Sequence, residues 1–429
     1  MRLTRRLLGD VSKTLKVLDF FSQYNPSPLS IKQFIDFGQN ACERKSFLFL
    51  RKELPVRLAN IMKEISLLPE NLQHMPSVEM VQSWYVQSFA DLVTFVKVEG
   101  DNEDDLNRFC ETLDRVKDRH RSVVETMAQG VMEMRDSHGF DNTTENSIQY
   151  FLDRLYMSRI GIRMLINQHS LLFGKNIVSP SKHIGSIDPS CNVVGVLKDA
   201  YDNARFLCDQ YYMDSPDLEI NMNNGSTLPQ VIEMCYVPSH LYHILFELFK
   251  NSMRAVMECH VDAENHPSIK ATVCLGTEDV TIKISDAGGG IPRSRTDLLF
   301  QYLYSTAPRP DSSDVNVSAP LAGYGYGLPL SRLYARYFQG DLQLYSSEGY
   351  GSDAMVYLKA LSSEANELLP VFNKTTTKFY KQGITMSDWT SSQSVYSNGN
   401  ARGFSAQAVR SYRTGPCRQH CLTAGAALV

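Results

Sequence analysis

A chain of 429 residues with 43% apolar and 21% charged residues has the balance of a globular protein and the length of two domains plus a tail. A formal net charge of −4 argues against a nucleic-acid binder that neutralises phosphates, and no apolar run approaches the ~20 residues that span a bilayer, so a soluble protein without a membrane span is expected. Nine cysteines without CxxC pairs fit a reducing compartment and buried free thiols better than a disulfide framework.

In the first residues Arg2, Arg5, Arg6, Lys13 and Lys16 alternate with Leu3, Leu7, Leu8, Leu15 and Val17. This stretch, 1–17, reads as an organelle-targeting sequence or as an ordinary first helix, the latter favoured by Asp10 and Asp19. From Leu29 to about Gly174 apolar residues recur every three or four positions, which predicts helices over 30–41, 46–68, 77–98, 102–134 and 143–173, most opening on Ser, Thr or Asn. Long helices with short connections fold most simply as an antiparallel bundle. Phe34, Phe37, Phe47 and Phe49 suit its core or a partner's hydrophobic groove. His120 and His169 are read as surface or satisfied core residues; a histidine autokinase would need one of them exposed.

The Ser-, Pro- and Gly-rich stretch 179–189 marks a domain boundary, and 192–211 reads as another helix. Runs of β-type composition at 218–222 and 231–237 lead into a helix over 238–258, started by Pro238 and Ser239. Leu241, Ile244, Leu245, Leu248, Phe249 and Val256 mark its core face, while His243, Glu247 and Asn251 follow at i, i+4, i+8 along another edge. That edge is either a solvated polar face or a general base, tuned by an imidazole, beside an amide oxygen suited to Mg²⁺.

Two more strands, 269–275 and 280–285, form a hairpin around Gly276-Thr277-Glu278-Asp279 and run into Asp286-Ala287-Gly288-Gly289-Gly290-Ile291-Pro292. This is a glycine turn capped by Asp286, or a carboxylate placed to accept an exocyclic amine such as adenine's. A second glycine cluster, Gly323-Tyr324-Gly325-Tyr326-Gly327-Leu328-Pro329, opens a helical run from Leu330 to Phe338 and offers backbone amides to phosphate oxygens. Walker, dinucleotide-fold and ordinary protein-kinase signatures are absent. The long loop 293–321 lies between the two glycine hinges as a lid would, and 341–346 with 351–360 reads as a closing hairpin. Cys417, His420 and Cys421 form a metal-like fragment without a partner cluster.

The order of Glu/Asn helix, Asp-Gly loop, lid and glycine helix resembles the GHKL ATPase family of sensor histidine kinases, ninety-kilodalton heat-shock chaperones, type II topoisomerases and mismatch-repair proteins. The runs Pro238-Ser-His-Leu-Tyr-His-Ile-Leu-Phe-Glu-Leu-Phe-Lys-Asn, Ala322-Gly-Tyr-Gly-Tyr-Gly-Leu-Pro-Leu-Ser-Arg and Tyr150-Phe-Leu-Asp-Arg-Leu-Tyr-Met-Ser-Arg-Ile resemble signatures of the mitochondrial pyruvate dehydrogenase kinase family, over about Leu18 to Trp389. The fold implied is α + α/β: an antiparallel helix bundle over 1–178 for regulation and lipoyl-domain docking, a GHKL (Bergerat) α/β sandwich over 179–370, and a tail over 371–429.

The resemblance implies a matrix serine kinase, using ATP with Mg²⁺ and K⁺ as a further cation, that inactivates the pyruvate dehydrogenase alpha subunit while docked as a homodimer on lipoyl domains. Its alternatives are a branched-chain ketoacid dehydrogenase kinase and a non-catalytic, ATP-switched lipoyl-binding scaffold. Glu247 would be the base, hydrogen-bonded by His243, and Asn251 the Mg²⁺ ligand; Asp286, Gly288 and Gly290 would hold adenine. Lys250, Arg254, Ser305, Thr306 and the Gly323, Tyr324, Gly325, Tyr326, Gly327, Leu328 run would line the rest of the nucleotide site. Tyr85, Ser88, His120 and Arg159 correspond to an effector pocket, the Phe34 region to the lipoyl end, and Asp388-Trp389 to the crossed tails of the dimer. Ala287 and Lys117 depart from the family, the latter replacing an effector-pocket arginine.

Overall fold

A computed structural model describes residues 16–139, 142–174, 182–223, 231–263, 265–306, 325–373, 376–377 and 380. The basic stretch up to residue 15, much of the lid, Gly323, Tyr324, Asp388, Trp389 and the Cys417–Cys421 fragment lie outside the described residues.

The first half contains helices α1 (Ile31–Gln39), α2 (Glu43–Ile65), α3 (Glu70–Gln73), α4 (Pro76–Val93), α5 (Glu103–Arg119), α6 (Val123–His138) and α7 (Asn142–Phe173). Ser30 caps α1 in a full capping box with Gln33, and Asn102 caps α5 through the Asp105 amide. α2 packs on α4, α5 and α7, and α6 covers α4. Phe34 and Phe47 are core, as expected for the aromatic cluster, while Phe37 is half-buried and Phe49 exposed. Among the described residues, no helix is long and apolar enough to cross a membrane.

The helix expected over 102–134 is two. α5 ends at His120, and α6 restarts after Ser122. The interruption buries the His120 ring, which lies 4.6 Å from that of Tyr85 and 2.9 Å, through Nε2, from Ser88 Oγ. Tertiary packing there overrides helix propensity.

The second half is a sheet with helices on one face. In chain order come β1 (Asp188–Asn192), α8 (Val193–Tyr212), β2 (Leu218–Asn223), β3 (Glu233–Tyr236), α9 (Pro238–Cys259), β4 (Ile269–Leu275), β5 (Asp279–Asp286), α10 (Arg293–Thr296), α11 (Gly327–Tyr337), β6 (Asp341–Ser347) and β7 (Gly351–Lys359). The five-stranded sheet has the order β2-β4-β5-β7-β6, with β2 parallel to β4 and the remaining pairs antiparallel. Val280, Ile282 and Ile284 alternate into the core beneath α9, which itself packs on α8 and α11. β1 was not expected from the sequence; it takes β3 into a separate two-stranded sheet, leaving β3 shorter than the 231–237 run.

Buried ion pairs lie within the helical half and between it and the segment after β7. Arg57 of α2 reaches Glu53 at 2.9 Å and Glu367, beyond β7, at 2.8 Å; Glu367 also accepts from the Tyr337 hydroxyl at the end of α11. Arg154 of α7 holds Glu64 of α2 at 2.6 Å. Removing one partner from such a pair leaves an uncompensated buried charge, at a cost of about 3–5 kcal/mol.

Candidate active site

α9 supplies the centre. Leu241, Ile244, Leu245, Leu248, Phe249, Met253 and Val256 bury one face against α8, β5 and α11. His243, Glu247, Lys250, Asn251 and Arg254 are left on the other side, as the 3.6-residue period requires. Glu247 Oε1 is paired with Lys250 Nζ at 2.8 Å, and that ammonium lies 5.0 Å over the Phe246 ring. Asn251 is exposed one turn on.

Glu247 meets the glycine helix directly: a methyl group built on Gly327, the first residue of α11, would overlap its carboxylate. A larger residue where the helix opens would therefore have to push the Glu247 carboxylate aside. Gly325 has φ +78°, and a Cβ there would stand 2.5 Å from the Tyr304 carbonyl, which brings the stretch ending in Ser305 and Thr306 against the same turn. α11 starts at Gly327 rather than Leu330, so the amides of Gly327 and Leu328 belong to its free N-terminal turn. The Tyr326 ring is buried against Tyr156 and Tyr302, so only its backbone is available to a ligand.

At the far end of α9, Asp286 closes β5. Its Oδ1 accepts from the Gly288 amide (3.0 Å) and the Ser352 amide (3.3 Å), and its Oδ2 from Ser252 Oγ (3.2 Å). Burial pushes this carboxyl up, against the lowering effect of those bonds. Three bonds leave a carboxylate one acceptor position of about four, the position an exocyclic amine would take. Gly288 fits because a Cβ there would lie 2.5 Å from that of Ala255; Gly290 lies against the Ser347 carbonyl. Ala287 offers its carbonyl to His260 Nε2 at 2.8 Å, and its side chain plays no part.

Two expectations change. Among the described residues, no hydrogen bond joins His243 to Glu247, because Lys250 occupies the carboxylate and His243 Nε2 is buried without a partner. Burial lowers the His243 pKa, while Glu247 raises it. Arg254, further along the same edge, is paired with Glu258 at 2.7 Å. The described start of the 293–321 loop is fastened rather than free: Gln149 of α7 bonds the Tyr302 backbone on both sides, at 2.8 and 3.3 Å, and Asp153 accepts from the Tyr302 hydroxyl. Ser252, Ser352, Gln149, Asp153 and Tyr302 were not expected at the site; only the position of Ser252, on the face of α9 nearest Asp286, hinted at one of them.

In the helical half Tyr85, Ser88, His120 and Arg159 do come together. Arg159 donates to the carbonyls of His120 (3.1 Å) and Arg121 (3.2 Å). Arg119 joins them, donating to Ser88 Oγ (2.8 Å) and pairing with Asp91. Burial holds His120 down at about 4, with Arg159, Arg119 and Arg163 adding to the effect. Lys117 turns instead to Asp114 on its own helix. His120 and His169 are buried and neutral, which removes the histidine-autokinase reading.

A family model described as mitochondrial branched-chain alpha-ketoacid dehydrogenase kinase matches residues 28–188, and one described as histidine kinase-, DNA gyrase B-, and HSP90-like ATPase matches residues 236–362. The chain is 62% identical to a mitochondrial pyruvate dehydrogenase (acetyl-transferring) kinase of Drosophila melanogaster, over 89% of this chain and 93% of that one. It is 58% identical to the mouse isozyme 1 of that kinase (87% and 86% covered) and 56% identical to the human isozyme 3 (92% and 97%). The α/β half is thus an ATPase domain of the GHKL type, and the chain belongs to the family of pyruvate dehydrogenase (acetyl-transferring) kinases.

Proposed function

We propose that this kinase acts in the mitochondrial matrix, using Mg-ATP to phosphorylate serine on the alpha subunit of pyruvate dehydrogenase and so inactivate the complex. The observation that carries the reading is the meeting of the Glu247 carboxylate with the first residue of the glycine helix, on the same helix that braces Asp286 through Ser252. In this reading the base, the phosphate amides and the adenine acceptor are all organised along α9. The full-length relatives are named for pyruvate dehydrogenase, which favours that substrate over the branched-chain complex.

Phosphoryl transfer asks the protein for positioning, charge stabilisation and one base for the hydroxyl proton. Bound Mg-ATP supplies the phosphoryl group and most of the neutralising charge. The chain does the rest. Asp286, oriented by Ser252 and the Gly288 amide, selects the adenine amine. The amides around Gly325, Gly327 and Leu328 bind phosphate oxygens, with Ser305 and Thr306 alongside. Asn251 offers the amide oxygen for Mg²⁺. Glu247 takes the serine proton, and Lys250, its present partner, is released toward phosphate as the carboxylate turns to the hydroxyl. His243, one helical turn before Glu247, is close enough for the two charges to influence each other.

We assign 1–178 to an antiparallel regulatory bundle that docks lipoyl domains, 179–370 to the ATP-binding domain and 371–429 to a tail that joins a homodimer. The Tyr85, Ser88, His120 and Arg159 cluster is read as a pocket for a small carboxylate effector. Support comes from the Tyr85 hydroxyl and Arg159 Nε, both buried without a partner among the described residues. Incubation with intact pyruvate dehydrogenase complex and labelled ATP, followed by site mapping, tests the whole reading. Label on alpha-subunit serines with falling complex activity is expected; label on the branched-chain complex alone, or none, overturns it.

A further inference from the structure

Away from the nucleotide site, α2, α5 and α7 meet at three side chains that the reaction does not use. Glu43 is the first residue of α2, Cys110 lies on α5 and His169 on α7; one ligand atom from each falls within 4.8 Å of the others. Cys110 Sγ stands 3.2 Å from His169 Nε2 and 3.6 Å from Glu43 Oε1. A tetrahedral zinc ion bound at ~2.3 Å to sulfur and ~2.0–2.1 Å to nitrogen and oxygen has ligand-to-ligand edges of roughly 3.3–3.6 Å. The two edges that meet at Cys110 match those values, and the third lies within 4.8 Å.

The surroundings are those of a metal-binding histidine. Ser46 Oγ lies 2.8 Å from His169 Nδ1, so it can accept a hydrogen bond from Nδ1–H in the tautomer that leaves the Nε2 lone pair facing the thiol. Phe109 and Phe173 pack on the imidazole at 5.5 and 5.1 Å. Glu43 is half-buried at the surface end, which leaves a fourth position for water. One thiolate, one imidazole and one carboxylate suit zinc rather than Mg²⁺ or Ca²⁺, which take oxygen ligands.

We propose that Glu43, Cys110 and His169 form a zinc site that clamps α2, α5 and α7, with water as the fourth ligand. On binding, the Cys110 thiol gives its proton to solvent and sulfur bonds the ion as thiolate.

The full chain, stripped with chelator, is titrated with Co²⁺ as an optical probe and then with Zn²⁺. The expected result is thiolate-to-cobalt charge-transfer absorption saturating at one equivalent, displaced by zinc, with zinc raising the melting temperature by a few degrees. Cys110→Ala abolishes the band, and Glu43→Gln, at a half-exposed position that tolerates the change, weakens cobalt binding at least tenfold. Cys417, His420 and Cys421 are the competing ligands, so the titration is repeated in Cys417→Ser/Cys421→Ser. A band that survives this double substitution supports the proposal. A band lost with it and kept in Cys110→Ala, cobalt affinity unchanged in Glu43→Gln, or no band in the wild-type chain overturns it.

Discussion

The Tyr302 hydroxyl donates a 2.7 Å hydrogen bond to Asp153 Oδ1, joining the stretch before Ser305 to α7. Burial pushes the Asp153 carboxyl up to about 6, against the lowering effect of Tyr302, Arg336 and Arg332. Below about pH 4 folded and unfolded chains both carry this proton. As pH rises from about 4 to about 6 the unfolded chain releases it first, so stability falls across that window. The side chain keeps some contact with solvent, and the loss comes to about 2 kcal/mol. Asp153→Asn should remove this slope: in urea melts against pH, its stability relative to wild type rises between pH 4 and 6 and is level above.

Gly327→Ala places a methyl group on the Glu247 carboxylate without asking for an unusual backbone. Displacement of a reacting group by about 1 Å costs on the order of 100-fold in rate. Steady-state kinetics should show kcat falling by about that factor with KM for ATP little changed.

These two relationships mark where the sequence was and was not readable. The 3.6-residue spacing of Leu241, Ile244, Leu245, Leu248 and Phe249 fixed the orientation of α9, and hence the common edge of Glu247 and Asn251. The strand run into Asp286 was equally plain, because β5 alternates Val280, Ile282 and Ile284. Nothing local ties Gln149 or Asp153 to Tyr302, or Arg57 to Glu367; those contacts cross long stretches of chain, and only folding brings them together. The break at His120 was hidden for the same reason. Its neighbours form helix well, and what stops them is the buried ring's bond to Ser88, on another helix. Lys250, expected to line the nucleotide site, is paired with Glu247, a contact its i, i+3 spacing allows.

Asp286→Ala removes a carboxylate that accepts from Gly288, Ser252 and Ser352 and leaves adenine without its acceptor. A hydrogen bond to a charged group contributes about 1.5–3 kcal/mol, so ATP affinity measured by calorimetry should drop at least tenfold. Ser252→Ala, which only loosens the carboxylate, should cost a few-fold.

In the buried pocket, Arg159→Met removes a guanidinium whose Nε has no partner while leaving Tyr85, Ser88 and His120 in place. Inhibition by a small monocarboxylate such as a pyruvate analogue should weaken at least tenfold, read as the shift in half-inhibitory concentration, with uninhibited kcat near wild type. Arg159→Lys should recover part of it through charge alone.

The most direct measurement compares Glu247→Gln with wild type in two assays, nucleotide affinity and phosphate transfer to the pyruvate dehydrogenase alpha subunit. Glutamine keeps the shape at Gly327 and removes the base, so ATP affinity should stay within about threefold while transfer falls by 10²–10⁴-fold. Transfer at the wild-type rate, or a loss of transfer matched by an equal loss of ATP binding, would contradict the assignment of Glu247 as the group that accepts the serine proton.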